Sequence, residues 1–139
     1  MAVLARAPAE ELARLWAASG LPDEGIFLRG PETGLVMLRG RIGGGGAPFN
    51  FGEATVTRAT VKLPTGEIGH AYALGRDTGK ARISALVDAL AQRAEHVATV
   101  ETAILAPLRA AMEADDDRRR AETAATAVNF FTMVRGEDS

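Results

Sequence analysis

The sequence predicts an α+β fold, with a small antiparallel β-sheet of about three or four strands packed with an N-terminal helix and two or three C-terminal helices. Two observations support this prediction. Twelve of the fifteen glycines fall in residues 29–82, where short runs rich in β-branched residues are typical of strands and turns. No glycine interrupts residues 80–135, where apolar residues recur at helical spacing.

The first predicted element is a helix over residues 8–18. Leu12, Leu15 and Trp16 lie at helical spacing. Two glutamates lie in the first turn, where their negative charge interacts favourably with the positive end of the helix dipole. The glycines and the proline that follow residue 19 then end the helix.

Three strands are predicted next, over residues 34–41, 54–63 and 67–74. The Pro64-Thr65-Gly66 sequence is typical of a tight turn, so the last two strands form an antiparallel hairpin. The bulky side chains of the third strand share one face, namely Ile68, His70, Tyr72 and Leu74. Its other face carries only glycine and alanine, so a helix can pack closely there.

Helices are predicted over the following fifty residues. The first has an amphipathic stripe formed by Ile83, Leu86, Val87 and Leu90. Pro107 is expected to kink or restart the helical segment, because proline lacks an amide donor and disfavours helical geometry at Ala106. An apolar tail follows, which we expect to pack on its own sheet or on another subunit.

The 139 residues are predicted to form one domain. It comprises a glycine-rich, basic β region at about 30–75, a helical region at about 78–127 and the apolar tail at 128–139. The chain has no cysteine, which excludes disulfides and cysteine-bound zinc or iron–sulfur clusters. No apolar run approaches the roughly 18–20 residues of a membrane span, and the start of the chain lacks a secretory signal pattern. We therefore expect a cytoplasmic protein with no membrane association.

Charge is distributed unevenly along the chain. Residues 29–82 carry eight basic and four acidic residues, whereas the remainder carries eight basic and fourteen acidic residues. A local positive field favours phosphate-bearing ligands or an acidic partner surface. Nucleic acid is not expected as a ligand, because no dense basic stripe is interleaved with aromatic residues.

The segment from Gly40 to Gly52 is the most unusual stretch. Glycines such as Gly43 and Gly44 let backbone N–H groups approach an anion closely, and Arg39 and Arg41 add charge beside them. The segment is interpreted either as a phosphate contact or as a flexible loop that a partner orders.

Residues 75–80 have the order Gly-Arg-Asp-Thr-Gly-Lys between a predicted strand and a helix. They do not match a P-loop, since three residues instead of four separate the glycines and alanine follows the lysine. Arg76 and Lys80 are still candidate anion contacts near a helix N-terminus. The alternative is that Asp77 or Thr78 caps the helix and Lys80 is solvated.

The candidate phosphate contacts are, in order, Arg39, Arg41, Gly43, Gly44, Arg58, Arg76 and Lys80. The candidate partner contacts are apolar or flank apolar segments, namely Phe49, Phe51, Phe130, Phe131, Met133, Val134 and Arg135. His70 and His96 are the only histidines, and they fall on different predicted elements, so no metal site is expected. No set of catalytic residues is identified.

Several segments together resemble the PhnG family of the bacterial carbon–phosphorus lyase system. They include Glu32-Thr33-Gly34-Leu35-Val36, Arg39-Gly40-Arg41-Ile42-Gly43-Gly44, Thr57-Arg58-Ala59, Gly75-Arg76-Asp77, Ala106-Pro107-Leu108 and Phe130-Phe131-Thr132-Met133-Val134-Arg135-Gly136. The resemblance spans nearly the whole chain, and the Thr-Arg-Ala strand and the C-terminal segment are its most specific parts.

The resemblance implies a subunit that is not catalytic alone and that joins PhnI, PhnH and PhnJ in a heteromeric core, with PhnL and PhnM as further functional components. It assigns the chain to the step in which a phosphonate displaces adenine from MgATP. It implies no cofactor in this chain, and an iron–sulfur cluster and S-adenosylmethionine only in a partner subunit. The alternatives are an interaction module or a phosphate-binding accessory protein outside this complex. Self-association of the isolated chain is left open.

Overall fold

The computed structural model describes residues 1–127. The chain divides into two compact units, residues 1–108 and 109–139, and the sheet lies in the first. The predicted α+β fold is confirmed, with a three-stranded antiparallel sheet, an N-terminal helical region and C-terminal helices. The predicted apolar tail at 128–139 lies outside the described residues. No helix within residues 1–127 is both long and apolar enough to cross a bilayer.

The elements follow the predicted order. The helices are α1 (Ala2–Arg6), α2 (Ala9–Ser19), α3 (Thr78–Leu90), α4 (Ala94–Val100) and α5 (Ala106–Ala127), and the strands are β1 (Ile26–Arg41), β2 (Pro48–Lys62) and β3 (Ile68–Leu74). The sheet order is β1-β2-β3, and both pairings are antiparallel. The prediction was right to within one residue for α2 and β3, and it missed α1.

The first two strands are longer than predicted. β1 begins eight residues before the predicted start at Gly34, and β2 begins six residues before Ala54. Pro31 interrupts the alternating pattern, but β1 is an edge strand, where a missing amide donor is tolerated. Shifts of register between Phe27 and Arg29, and between Arg29 and Glu32, accommodate this irregularity.

The close packing predicted for the small face of β3 is confirmed. Gly69, Ala71 and Ala73 are all buried. A methyl group added at Gly69 would lie 2.1 Å from the carbonyl oxygen of Ala85 in α3. The backbone of α3 therefore rests directly on β3. The hairpin turn before β3 is also as predicted, with Gly66 at a φ of 107°.

The hydrophobic core lies between the sheet and the helices of the first unit. Its largest fully buried aliphatic side chains come from every helix of that unit and from β2, namely Leu4, Leu12, Val61, Leu86, Val87, Leu90, Val100, Ile104 and Leu108. Each such side chain contributes roughly 1.5–3 kcal/mol when it leaves water. The predicted amphipathic stripe of α3 is thus its core-facing side.

The helical segment changes its hydrogen-bonding pattern just before Pro107. Residues Glu101–Leu105 form a π-helical segment, and the amide of Ala106 bonds the carbonyl of Glu101 before α5 begins. The predicted restart of the helix is found, since α5 begins at Ala106, but Ala106 itself has φ −64° and ψ −46°, so the expected departure from helical geometry there was wrong. Ile104 and Leu108 are fully buried on either side, and this packing outweighs the local preference.

The described part of the second unit continues α5. The Asp115 carboxylate forms ion pairs with Arg118 and Arg119, about one helical turn further along α5. These exposed pairs stabilise a helix by only about 0.2–0.5 kcal/mol each. This surface is therefore a solvated helix face.

Candidate functional site

The sheet has one covered face and one open face. Helix α3 packs against the glycine and alanine side of β3, whereas the four bulky residues of β3 lie on the other side. On this open face Ile68 is 39% exposed, Tyr72 52% and Leu74 76%. The predicted shared face of β3 is confirmed, and its apolar side chains face outward.

Beyond the end of β3, strands β1 and β2 continue as a two-stranded hairpin, here called the arm and defined as residues 35–55. The last residue pair between β2 and β3 joins Val56 to Leu74. From Leu35 to Arg41 the arm extends about 20 Å, at roughly 3.3 Å per residue. An isolated two-stranded hairpin is at best marginally stable in water, so the arm depends on its continuity with the three-stranded sheet.

Both faces of the arm carry exposed apolar side chains. Leu35 pairs with Thr55 and Met37 with Glu53. Both side chains lie on the face of the sheet that α3 covers beside β3. They are 63% and 59% exposed. Leu38 continues the open face and is 38% exposed. The arm therefore exposes apolar side chains on both of its faces.

The predicted glycine-rich loop forms the tip of the arm. Gly43 and Gly44 have φ values of 65° and 73°, which suit glycine in a tight turn. The rings of Phe49 and Phe51 lie 5.9 Å apart. A Cβ atom added at Gly40 would lie within 4 Å of both rings. Both predicted partner-contact phenylalanines are therefore on one face of the arm, 42% and 58% exposed.

The candidate phosphate contacts do not form one cluster. Arg39 and Arg41 lie near the tip, opposite Asn50 and Pro48. Arg76 lies in the connection between β3 and α3, and Lys80 lies in the first turn of α3. The Gly75 amide of this connection donates a hydrogen bond to the Thr55 carbonyl at the base of the arm. Five to seven strand residues separate the two groups, roughly 17–23 Å. Arg58 lies on the open face, apart from both.

The β3–α3 connection is a helix cap. Asp77 accepts a hydrogen bond from the Lys80 amide at 2.8 Å, which confirms the capping alternative. The Lys80 ammonium donates to the Ala5 carbonyl of α1 at 2.7 Å, so this partly exposed side chain also connects α3 to α1. Burial lowers the pKa of Lys80, and the nearby Asp77 charge opposes that shift. A carboxylate at this helix start disfavours a second anion.

Removal of this cap gives a first testable expectation. Asp77→Ala should lower the free energy of unfolding by about 1 kcal/mol, because the Lys80 amide loses its acceptor. Asp77→Asn is the matched control, since it keeps an acceptor oxygen and should retain most of the stability. Urea denaturation of both variants measures the difference. Equal stability of wild type and Asp77→Ala would contradict the capping role.

A polar groove occupies the open face beside β3. Its cavity of about 340 Å³ is lined by Met1, Arg29, Arg58, Ala59, Thr60, His70, Ala71, Tyr72 and Asp88. The Nε atoms of Arg58 and Arg29 lie 2.8 and 3.2 Å from the same Glu32 oxygen. The His70 amide donates to Asp88 at 2.9 Å, which holds this edge of β3 to α3.

Sequence reasoning found only one residue of this groove as a site candidate, Arg58. Arg29 was not identified from the sequence. Its pairing with Thr60 of β2 depends on the register shifts of β1 on either side of it, which no local pattern indicates. The cross-strand pairing of Glu32 with Arg58 becomes visible only once that register is known.

The histidines and the metal-ligating side chain types are dispersed over the described residues. Within residues 1–127, no group of three or more histidine and carboxylate side chains is placed to hold a metal ion. His70 lies in β3 and His96 in α4. The Nε2 atom of His96 lies 3.3 Å from a carboxylate oxygen of Glu95. The apolar arm can bind a protein surface, and the groove can hold an oxyanion.

Comparison with known proteins adds two findings. A family model described as phosphonate metabolism protein PhnG matches residues 1–136. A protein of Rhizobium meliloti (strain 1021), named alpha-D-ribose 1-methylphosphonate 5-triphosphate synthase subunit PhnG, is 57% identical over 138 residues. That match covers 99% of this chain and 88% of the relative.

Proposed function

The chain belongs to the PhnG family of phosphonate metabolism proteins, and from that premise we propose that it is a subunit of a heteromeric synthase that joins a phosphonate to the ribose of MgATP. The name of the Rhizobium relative describes a product with a phosphonate on ribose C1 and a triphosphate on C5. Attack of a phosphonate oxygen on C1 of ATP, with departure of adenine, gives such a product and leaves the triphosphate intact.

The exposed apolar surface of the first unit carries this proposal. Thirteen large hydrophobic side chains are exposed among the described residues, and eleven of them lie on the sheet or at the tip of the arm. An apolar surface concentrated in this way is typical of a protein interface. A chain that acts as one subunit of an assembly accounts for it.

The expected partners follow from the family. We assign PhnI, PhnH and PhnJ to the same core, with PhnI as the nucleosidase subunit and PhnL and PhnM as further functional components. Radical cleavage of the carbon–phosphorus bond, with its iron–sulfur cluster and S-adenosylmethionine, belongs to a partner subunit. The complex works in the cytoplasm, where its substrate MgATP is available.

Co-expression tests this assignment. The chain is produced with PhnI, PhnH and PhnJ, the assembly is purified by size-exclusion chromatography, and adenine release is followed with MgATP and methylphosphonate. We expect a complex of fixed stoichiometry and methylphosphonate-dependent adenine release that neither this chain nor its partners show alone. Full methylphosphonate-dependent release by the partners without this chain would overturn the proposal.

A second candidate role, direct binding of phosphate or phosphonate, is favoured by the groove. Glu32 is approached by Arg29 and Arg58 through their Nε atoms. A guanidinium has five N–H donors, so the terminal nitrogens of both arginines can still bind an oxyanion in two-pronged fashion. A volume of about 340 Å³ is within the usual range for small-molecule sites.

Substitution of the two arginines tests this role. Arg29→Gln combined with Arg58→Gln should raise the KM for MgATP or methylphosphonate by about tenfold or more, since a hydrogen bond to a charged group contributes roughly 1.5–3 kcal/mol. Assembly should be unchanged by size-exclusion chromatography. Arg14→Gln, an exposed arginine of α2 that also pairs with a glutamate, is the control. Unchanged KM values for both substrates in an intact complex would remove this role.

A further inference from the structure

The arm is apolar on both of its faces. Leu35 and Met37 project from one face and Leu38 from the other, and Ile42 at the tip is 77% exposed. A flat partner surface would cover only one face and leave the other in water. Burial of both faces requires walls on two sides, as in a cleft.

The outer part of the arm is also purely basic. Residues 38–52 contain Arg39 and Arg41 and no aspartate or glutamate. Like charges brought together disfavour binding, and opposite charges steer association. The matching surface therefore carries acidic groups around its apolar walls.

The arm has two unpaired backbone edges within the described residues. β1 has a neighbour only in β2, and β2 loses its second neighbour where β3 ends at Leu74. Unpaired strand edges accept a strand from another chain. The walls of the cleft can thus bond the arm through its backbone as well as its side chains.

We propose that the arm inserts, with both faces buried, into an acidic and apolar cleft of a different subunit in the assembly. This inference rests on the proposed function and deepens it. A second copy of this chain is disfavoured as the occupant. Two arms side by side would bring four arginines together, and the groove of the open face already presents Arg29 and Arg58 to an incoming basic tip.

Site-specific photocrosslinking distinguishes insertion from flat docking. A benzophenone amino acid replaces Leu35 in one variant and Leu38 in another, and both are assembled with the partner subunits. We expect both positions to capture a partner subunit, at different peptides that mass spectrometry identifies. The same probe at Val97, an exposed apolar residue of α4 (47% exposed), is the control and should not capture those peptides.

The outcomes separate the inference from the proposed function. Capture from only one of the two positions means flat docking and overturns insertion. Capture of a second copy of this chain by either probe overturns the choice of partner. An active complex in which neither position is captured overturns the inference and leaves the proposed function standing. Failure of the wild-type chain to join any complex overturns both.

Charge reversal tests the acidic character of the cleft. Arg39→Glu with Arg41→Glu should weaken assembly about tenfold or more at low salt, and the difference from wild type should shrink as salt rises. Arg39→Gln with Arg41→Gln should have a smaller effect in the same direction. Arg14→Glu is the matched reversal outside the arm and should leave assembly unchanged. Wild-type affinity of the double reversal variant, measured by biolayer interferometry, would overturn the acidic cleft.

Discussion

Replacement of Gly69 with alanine is expected to lower the free energy of unfolding by about 3 kcal/mol or more, at the upper end of the usual cost of overpacking. The added methyl group would lie 2.1 Å from the Ala85 oxygen and 2.5 Å from the Ala89 nitrogen. These two atoms belong to one hydrogen-bonded turn of α3. Because both are backbone atoms, the whole helix would have to move away from β3.

Movement of α3 would also loosen the core. Leu86 and Leu90 are fully buried on the same helix, so their packing against the sheet would be lost in part. Domains of this size are stable by only about 5–15 kcal/mol, and a loss of this size is therefore a large fraction of the total. We expect a markedly lower midpoint of thermal and urea unfolding.

Gly34→Ala is the matched control for this substitution. Gly34 lies in β1 at an ordinary φ, and no atom lies within 4 Å of its added methyl group. Its replacement should change the free energy of unfolding by less than about 1 kcal/mol, and in the stabilising direction through the unfolded chain. Similar unfolding midpoints for Gly69→Ala and Gly34→Ala would show that α3 does not rest on β3 as described.

The β3–α3 contact was predictable because it is local in sequence. The alternation of small and bulky residues in β3 fixes both of its faces, and the turn at residues 64–66 fixes its pairing with β2. The helical stripe of α3 likewise follows from spacing alone. Short-range patterns of this kind survive folding because tertiary packing reinforces them.

The arm was predicted only in part, for a physical reason. The glycine-rich sequence marked its tip and the prediction covered its first strand, residues 35–41, but residues 48–53 of β2 were not predicted as strand. Pro48 and Gly52 weaken the strand pattern at the start of β2, and a register shift between Leu38 and Arg39 accompanies its pairing with β1. Strand length and cross-strand neighbours are set by that long-range pairing, which no local pattern specifies.

The relative positions of the phosphate candidates could not be predicted, for a related reason. Arg39 and Arg76 lie next to glycines, whereas Arg58 lies within a predicted strand, and all three are candidates because of their charge. The fold places them at the tip, on the open face and in a connection, while Arg29 joins Arg58 through a shared carboxylate. The sequence therefore gives the charge of each residue, whereas the distances between these residues follow only from the fold.

Leu74→Asp is expected to impair assembly strongly while leaving the isolated chain folded. Leu74 is 76% exposed at the end of β3, so its replacement removes little packing within the chain. Burial of a leucine in an interface contributes roughly 1.5–3 kcal/mol, and an unpaired carboxylate in its place adds a further penalty. We expect the affinity for the partner subunits to fall by about tenfold to a hundredfold or more.

The same substitution at Val97 separates an interface effect from a general effect of an added charge. Val97 is exposed on α4, away from the open face, and Val97→Asp should assemble as wild type does. Adenine release at limiting chain concentration should fall for Leu74→Asp and recover when that variant is supplied in excess, since only association is weakened. A Leu74→Asp variant that unfolds with the wild-type midpoint yet assembles and releases adenine normally would show that the end of β3 faces water in the complex. The partner contact would then be confined to the arm.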